Sequence, residues 1–220
     1  MAEGDEERAS YPCPACGSSL YGWVRISSPD RPQPILDRCE SCGLAVRRED
    51  GPVDVRAELA AISRGPGEYA AANRRSLQAS LGEGHWAGLD PNRRIHLTPR
   101  AAVLLFEQQG LEIGSVAFPR LGRNLGWMWQ TLMNALTLRD NFARDAREGL
   151  IRPERPKARL AFAIDAMVTL VAALPVTFFT VVLEPLAAAL RRGGEIVIEA
   201  RPVATTPEDE LDDADELAAG

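Results

Sequence analysis

The sequence is poor in the residues on which nucleophilic and phosphate chemistry depends. Its 220 residues include only two histidines, His85 and His96, and four cysteines. There is no Gly-x-Ser-x-Gly elbow and no Walker-type loop, which removes serine-hydrolase and P-loop mechanisms. The two histidines stand in a polar stretch without a partner at metal-ligand spacing, so each is expected to pack or face solvent. A strand leading into a Gly-x-Gly-x-Gly turn is also missing. Gly65-x-Gly67 and Gly82-x-Gly84 are too short for that role and read as turns. No apolar secretory leader opens the chain, which points to a reducing cytoplasm.

Charge is unevenly placed. The formal net charge is −6, but residues 1–10 carry four acids and one arginine, and residues 203–220 carry seven acids and no base. The body, 11–202, keeps 20 acids against 24 bases. The two ends read as a disordered acidic leader and tail around a mildly basic body, which suits an anionic surface weakly. With 45% hydrophobic residues the body can support a core.

All four cysteines fall in two Cys-x-x-Cys pairs, Cys13/Cys16 and Cys39/Cys42, each followed by glycine. Two such knuckles bring four thiolates to tetrahedral positions, and four sulfur ligands leave no open site, so the metal expected is structural zinc. Two disulfides or redox dithiols are the alternatives, and they fit a reducing compartment less well. Residues 21–26 alternate as a strand, and Ile35-Leu36 can pair with it, giving a zinc ribbon over 11–48. The ribbon arginines Arg25, Arg31, Arg38, Arg47 and Arg48 are interspersed with acids and form no basic stripe, which argues against nucleic acid as a partner.

Beyond a short linker, Asp54 can cap a helix with Val55, Leu59 and Ile62 on one face, stopping at Gly65. Residues 68–72, 111–118 and 195–201 read as strands. Thr98 is an N-cap with Pro99 at the first helical position, and Gly110 is the stop. Residues 73–81 can form a turn or two of helix, and 85–97 reads as a polar loop.

The order of these pieces resembles the second half of class I S-adenosylmethionine-dependent methyltransferases that carry an N-terminal zinc ribbon. Gly65-Pro66-Gly67 resembles the turn before the fifth strand, and Asn73 with Ser76-Leu77-Gln78 the piece after it. Trp86 with Leu89-Asp90 resembles the following loop, Gln109-Gly110-Leu111 the helix end, and residues 193–201 the closing strand. The likeness covers roughly 54–202. It implies an α/β fold, with a partial, C-terminal-half Rossmann-like sheet in which the last strand inserts antiparallel between the other two. It also implies methyl transfer from S-adenosylmethionine to a small or lipid-like acceptor. The departures are specific: the glycine-rich cofactor turn and its acidic partner strand are missing, Arg94 stands where the family usually has histidine, and no phenylalanine precedes Thr98. No cofactor-binding residue is therefore assigned, and the chain is not expected to be catalytic alone. If another chain completed a site, the resemblance makes Trp86, Arg93 and His96 the substrate-side candidates. The sheet is expected to keep an open edge, to be covered by a partner chain or a second copy.

The final feature is a long apolar helical insertion, 119–193. Residues 124–138 place Leu125, Met128, Leu132 and Leu136 on one helical face, as a core helix or as a lid or membrane-surface helix. Residues 166–183 carry no charge, but Pro175 lies among them. The expectation is that residues 160–190 form two apolar helices broken near Pro175, a hairpin that dips into one leaflet at the inner face of the cell membrane. A hairpin buried on the sheet or in a dimer interface is the alternative. Three functions stay open: a membrane-bound binding or scaffold protein, an enzyme subunit completed by another chain, and a degenerate internal-deletion product.

Overall fold

A computed structural model describes residues 11–25, 35–48, 51–90 and 92–203. The acidic leader and all but the first residue of the acidic tail lie outside these. In chain order, β1 (Leu20–Arg25), β2 (Ile35–Cys39) and β3 (Ala45–Arg47) form the ribbon. Then come α1 (Val55–Ala60), β4 (Ser63–Gly65), β5 (Glu68–Ala72), α2 (Leu77–Gly82), a single 3-10 turn at Glu83–His85, β6 (Ile95–His96), α3 (Pro99–Gln108) and β7 (Leu111–Ala117). The insertion supplies α4 (Arg123–Asn134), α5 (Phe142–Arg147) and α6 (Pro156–Ala189), and β8 (Glu195–Pro202) closes the fold.

The architecture is mixed α/β with two four-stranded antiparallel sheets, ordered β1-β2-β3-β6 and β4-β5-β8-β7. The three strands expected near 68–72, 111–118 and 195–201 are present, with β8 antiparallel between β5 and β7. A Rossmann-like parallel sheet is not present among the described residues. The Thr98 hydroxyl accepts the Ala101 N–H at 3.1 Å, so α3 begins where its cap and proline predict. Its buried face, Ala101, Ala102, Leu105 and Phe106, shares one core with Ile196 and Ile198 of β8. Phe106 meets Tyr69 of β5 edge-on at 4.7 Å.

Three expectations need correction. The helix capped by Asp54 ends at Ala60, and residues 63–65 return as β4, hydrogen-bonded beside β5. Gly67 makes that hairpin possible: its φ is +72°, and a Cβ there would lie 2.7 Å from the Ala200 carbonyl oxygen. The edge of β5 is thus partly covered, since β4 pairs only with Glu68 and Tyr69. Second, the stretch 85–97 is not simply a loop, because Ile95–His96 adds β6 to the ribbon sheet opposite Ala45 and Val46. The stretch before the apolar run also contains α5, whose Phe142 packs against Phe162 of α6.

The third correction concerns the insertion. No break occurs near Pro175; α6 is one helix of 34 residues running through both Pro175 and Pro185, about 51 Å at 1.5 Å per residue. Proline removes one backbone donor but its φ is helical, and neighbouring hydroxyls and helices can steady the turn. Here the Thr177 hydroxyl donates to the Ala173 carbonyl at 2.7 Å, and Trp129 of α4 donates to Thr177 at 3.2 Å.

Candidate metal centre and cleft

Two places bring chemistry-bearing side chains together. The first is the ribbon. The knuckle turns place Cys13, Cys16, Cys39 and Cys42 so that all four sulfurs lie within 4.8 Å of one another. Cys13 and Cys42 approach to 3.5 Å, and Cys16 and Cys39 to 3.4 Å. A disulfide needs about 2.05 Å, whereas a tetrahedron of sulfurs at about 2.3 Å from zinc has edges of about 3.8 Å. The cluster can therefore hold a metal ion, and its donor set and spacing suit zinc.

Without an ion the thiols differ. Burial pushes Cys13 up to about 11 and drives Cys42 higher still. For Cys16 the burial effect is more than offset by hydrogen bonds from Ser18 and the neighbouring thiols, which bring it down to about 6. A bound cation must displace protons from the buried pair.

The ribbon is tied to the rest of the chain at several points. Besides capping α3, the Thr98 hydroxyl donates to the Cys42 carbonyl at 2.7 Å. Gln108 donates to the Ala15 carbonyl at 3.1 Å. The Arg74 guanidinium lies 3.6 Å from the centre of the Trp23 ring. Cys13, Cys39, Cys42 and Leu44 belong to the same core as α3 and β8.

The second place is a cleft of about 590 Å³, counted with its open mouth, along the part of β5 that β4 leaves uncovered. Arg93 and His96 both line it, together with Glu58 of α1, Glu195 of β8 and Trp127 of α4. Glu195 accepts from Arg64 of β4 and from Arg123 of α4, which closes one wall. His96 is 4% exposed, and burial pushes its imidazole down to about 4, against Asp90, which favours the charged form. Trp86 is not among the lining residues. It is buried beneath Gly88, where any Cβ would strike the indole, and its Nε1 donates to Gln78 at 3.4 Å. Of the three candidates, the fold brings two to one cleft and places the third in the core. His85 is exposed and paired with Asp140 at 2.8 Å.

A buried polar network escaped sequence reading. Gln78 donates to the Glu184 carboxylate at 2.7 Å and to the Asn124 carbonyl at 3.0 Å, and Glu184 accepts the Gly194 N–H at 2.8 Å. Asn73 donates to the Gly193 carbonyl at 2.9 Å. Burial raises the Glu184 carboxyl above its usual range, while the Gln78 and Gly194 hydrogen bonds oppose this. In the sequence Glu184 is only the first charge after the uncharged run 166–183.

The network belongs to an inverted helix. The face of α6 turned toward the protein carries Asp165, Thr180 and Glu184 beside Val176, Ala187 and Ala188, all buried. Asp165 accepts the Leu138 N–H at 2.7 Å. The outward face carries Leu160, Met167, Leu170, Leu174, Phe178 and Leu186, all exposed. Only 11% of the most apolar window of α6 is buried. By length and composition this helix could associate with a membrane. Comparison with family models, with curated proteins and with solved structures finds no match for this chain.

Proposed function

We propose that this is a membrane-docked, zinc-stabilised binding or scaffold protein, descended from the later half of a class I methyltransferase and not catalytic alone. The observation that carries the membrane reading is the inversion of α6. A helix in the core of a soluble protein buries its apolar side, whereas α6 buries carboxylates and hydroxyls and presents leucine and phenylalanine outward. Contacts to the body recur along its length, from Phe162 through Asp165 and Thr177 to Glu184. A helix held along one side in this way lies in the plane of one leaflet, because crossing the bilayer would carry α4, α5 and their polar partners into hydrocarbon. Bases flank both ends, Lys157 and Arg159 before the apolar run and Arg191 and Arg192 after it, where they meet anionic headgroups.

The test uses Lys157, the chain's one lysine, and a second handle introduced as Arg192→Lys. The protein is added to sealed anionic vesicles and treated with a membrane-impermeant amine reagent. The expected result is flotation with the vesicles and labelling of both lysines from outside. No flotation sinks the membrane reading, and protection of one lysine sinks the in-plane orientation.

The methyltransferase descent rests on the order of the quoted motifs, and the placement of β8 between β5 and β7 accords with it. A second reading is favoured by the uncovered part of β5, on the side where such a family would carry its cofactor-binding strands. On that reading another chain adds the missing half. Isothermal titration of the zinc-loaded protein in detergent with S-adenosylhomocysteine separates the two. Saturable micromolar binding by this chain alone would displace the non-catalytic reading.

A further inference from the structure

A basic corner lies at the C-terminal end of α6. Arg191 and Arg192 are both exposed, and so is Arg75 on the neighbouring segment. The backbone sets the two segments side by side: the Leu77 N–H donates to the Arg192 carbonyl at 2.9 Å, and the Asn73 N–H to the Gly194 carbonyl at 2.8 Å. Among the described residues none of the three arginines forms an ion pair, and Arg192 donates only to the Ser80 hydroxyl, at 3.1 Å. The carboxylates closest in the chain are engaged elsewhere, Glu184 with Gln78 and Gly194, and Glu195 with Arg64 and Arg123. Glu83 acts through space on Arg74 but pairs with none of the three. Three like charges on one corner favour an anion there.

The chain itself supplies that anion. β8 starts beside the corner and carries the chain away for 8 residues, about 27 Å. The Val203 N–H then donates to the Gly110 carbonyl at 3.0 Å, which fixes where the acidic tail begins. Residues 208–216 carry its seven acids, with no base among them. Glu216 stands 13 positions past Val203, a reach of up to about 45 Å, so the later acids can return to the corner with length to spare. The leader is the poorer occupant, with a net side-chain charge of −3 against −7. We propose that the acidic tail docks on Arg75, Arg191 and Arg192 of its own chain and restrains the membrane contact of α6. This rests on the membrane reading above and adds a regulator to it. Docked, the tail withholds three arginines from anionic headgroups, each of which would strengthen binding by ~5-fold. It also holds its negative charge beside Leu186 and Leu190, exposed at the same end of α6. An anionic bilayer competes for the same three side chains, so docking on it releases the tail.

Two readouts on the zinc-loaded full chain test this. In the first, Arg192→Lys supplies an amine for zero-length carbodiimide coupling, which joins an amine only to a carboxylate in contact with it. Coupling from position 192 to acids of residues 208–216 is expected without lipid, and its loss on adding anionic vesicles. Coupling to no tail acid, to residues 1–10 instead, or only between two copies overturns the proposal. The second readout is flotation on anionic vesicles at physiological salt, where an undocked tail is largely screened beyond about 8 Å. It compares the unaltered chain, a chain with its seven tail acids replaced by their amides, the triple variant Arg75→Gln, Arg191→Gln, Arg192→Gln, and the combination. Amidation is expected to strengthen binding by ~30-fold or more in the unaltered chain, the equivalent of about 2 kcal/mol, and by at most ~3-fold once the three arginines are gone. An equal gain in both backgrounds would mean that the tail only repels the bilayer, and overturns the docking. If no chain floats, the membrane reading falls and this regulation with it. If all float and amidation changes nothing, the regulation alone falls.

Discussion

Replacing Leu170, Leu174 and Phe178 together by glutamine separates a membrane-facing α6 from a helix that belongs to the core. The three lie four residues apart on the outward face, with 81%, 81% and 67% of their surface exposed. Fully burying such a side chain is worth about 1.5–3 kcal/mol, so each contributes ~1–2 kcal/mol to leaving water for lipid, and the three together ~5 kcal/mol. At about 1.4 kcal/mol per factor of ten, vesicle partitioning should fall by roughly a thousandfold. Folding should respond oppositely. These side chains make few contacts with the rest of the protein, and surface substitutions usually stay within about 0.5 kcal/mol each. The assay pairs flotation on anionic vesicles with thermal melting of the same preparation in mild detergent. Loss of flotation at an unchanged melting temperature is expected. A melt lowered by tens of degrees would mean that the apolar face is covered by protein, and unchanged flotation would remove α6 from the membrane contact.

Chelating the metal should unfold more than the ribbon. A structural zinc supplies about 10–16 kcal/mol in small metallodomains, against a net stability of about 5–15 kcal/mol for a whole domain, and Cys39, Cys42 and Leu44 share their core with α3 and β8. A single cooperative loss of far-ultraviolet circular dichroism on adding chelator is expected, and a melt confined to the ribbon signal would refute the shared core. Gln78→Leu should cost ~2–4 kcal/mol by urea titration, because it strands the buried Glu184 carboxylate and the Asn124 carbonyl; a change under 1 kcal/mol would show the network to be solvated. His96 gives a pH dependence. Its folded value of about 4 lies below the ordinary 6.5, so the unfolded chain binds the proton more readily in that window. Its contribution is full above about 6.5 and lost as pH falls toward 4, by ~3 kcal/mol in all. The difference in melting temperature between the unaltered chain and His96→Gln should therefore change across that interval and be flat above it.

Local signals made part of this fold legible. Thr98-Pro99 and Gly110 bound α3 because capping and proline geometry depend on adjacent residues alone. The cysteine pairs announce a cluster because two short turns fix four sulfurs. What stayed hidden is non-local or short. Ile95–His96 is a two-residue strand whose reason is Ala45 and Val46 of the ribbon, roughly fifty residues away in sequence, and no periodicity can arise in two residues. Gln78 and Glu184 are 106 positions apart. The continuity of α6 was obscured by treating Pro175 as a breaker. Yet Asp165, Thr169, Val176, Thr180, Glu184 and Ala187 fall on one face at 100° per residue, in phase on both sides of Pro175. Two helices folded back on each other would have no reason to keep that phase.

The same stripe bears on how the chain is organised. Burying Asp165 and Glu184 in a helix otherwise made for lipid is costly unless each finds donors, and both find them within the insertion or beside β8: Leu138 N–H for Asp165, Gln78 and Gly194 for Glu184. These bonds fix which side of α6 faces the protein, and the exposed side follows from helix geometry. At the C-terminal end of α6, Gly194 must be glycine because a Cβ would collide with the Gln78 amide, so the entry of β8 into the sheet and the seating of α6 share one contact. Asn73, at the end of β5, holds Gly193 on the same turn. β5 is also the strand whose uncovered edge lines the cleft with Glu58, Arg93 and His96. Membrane face and cleft are therefore joined through residues 72–78 and 184–195. A shift of α6 on a bilayer would be felt first at Glu195, where Arg123 of α4 and Arg64 of β4 converge on one carboxylate oxygen.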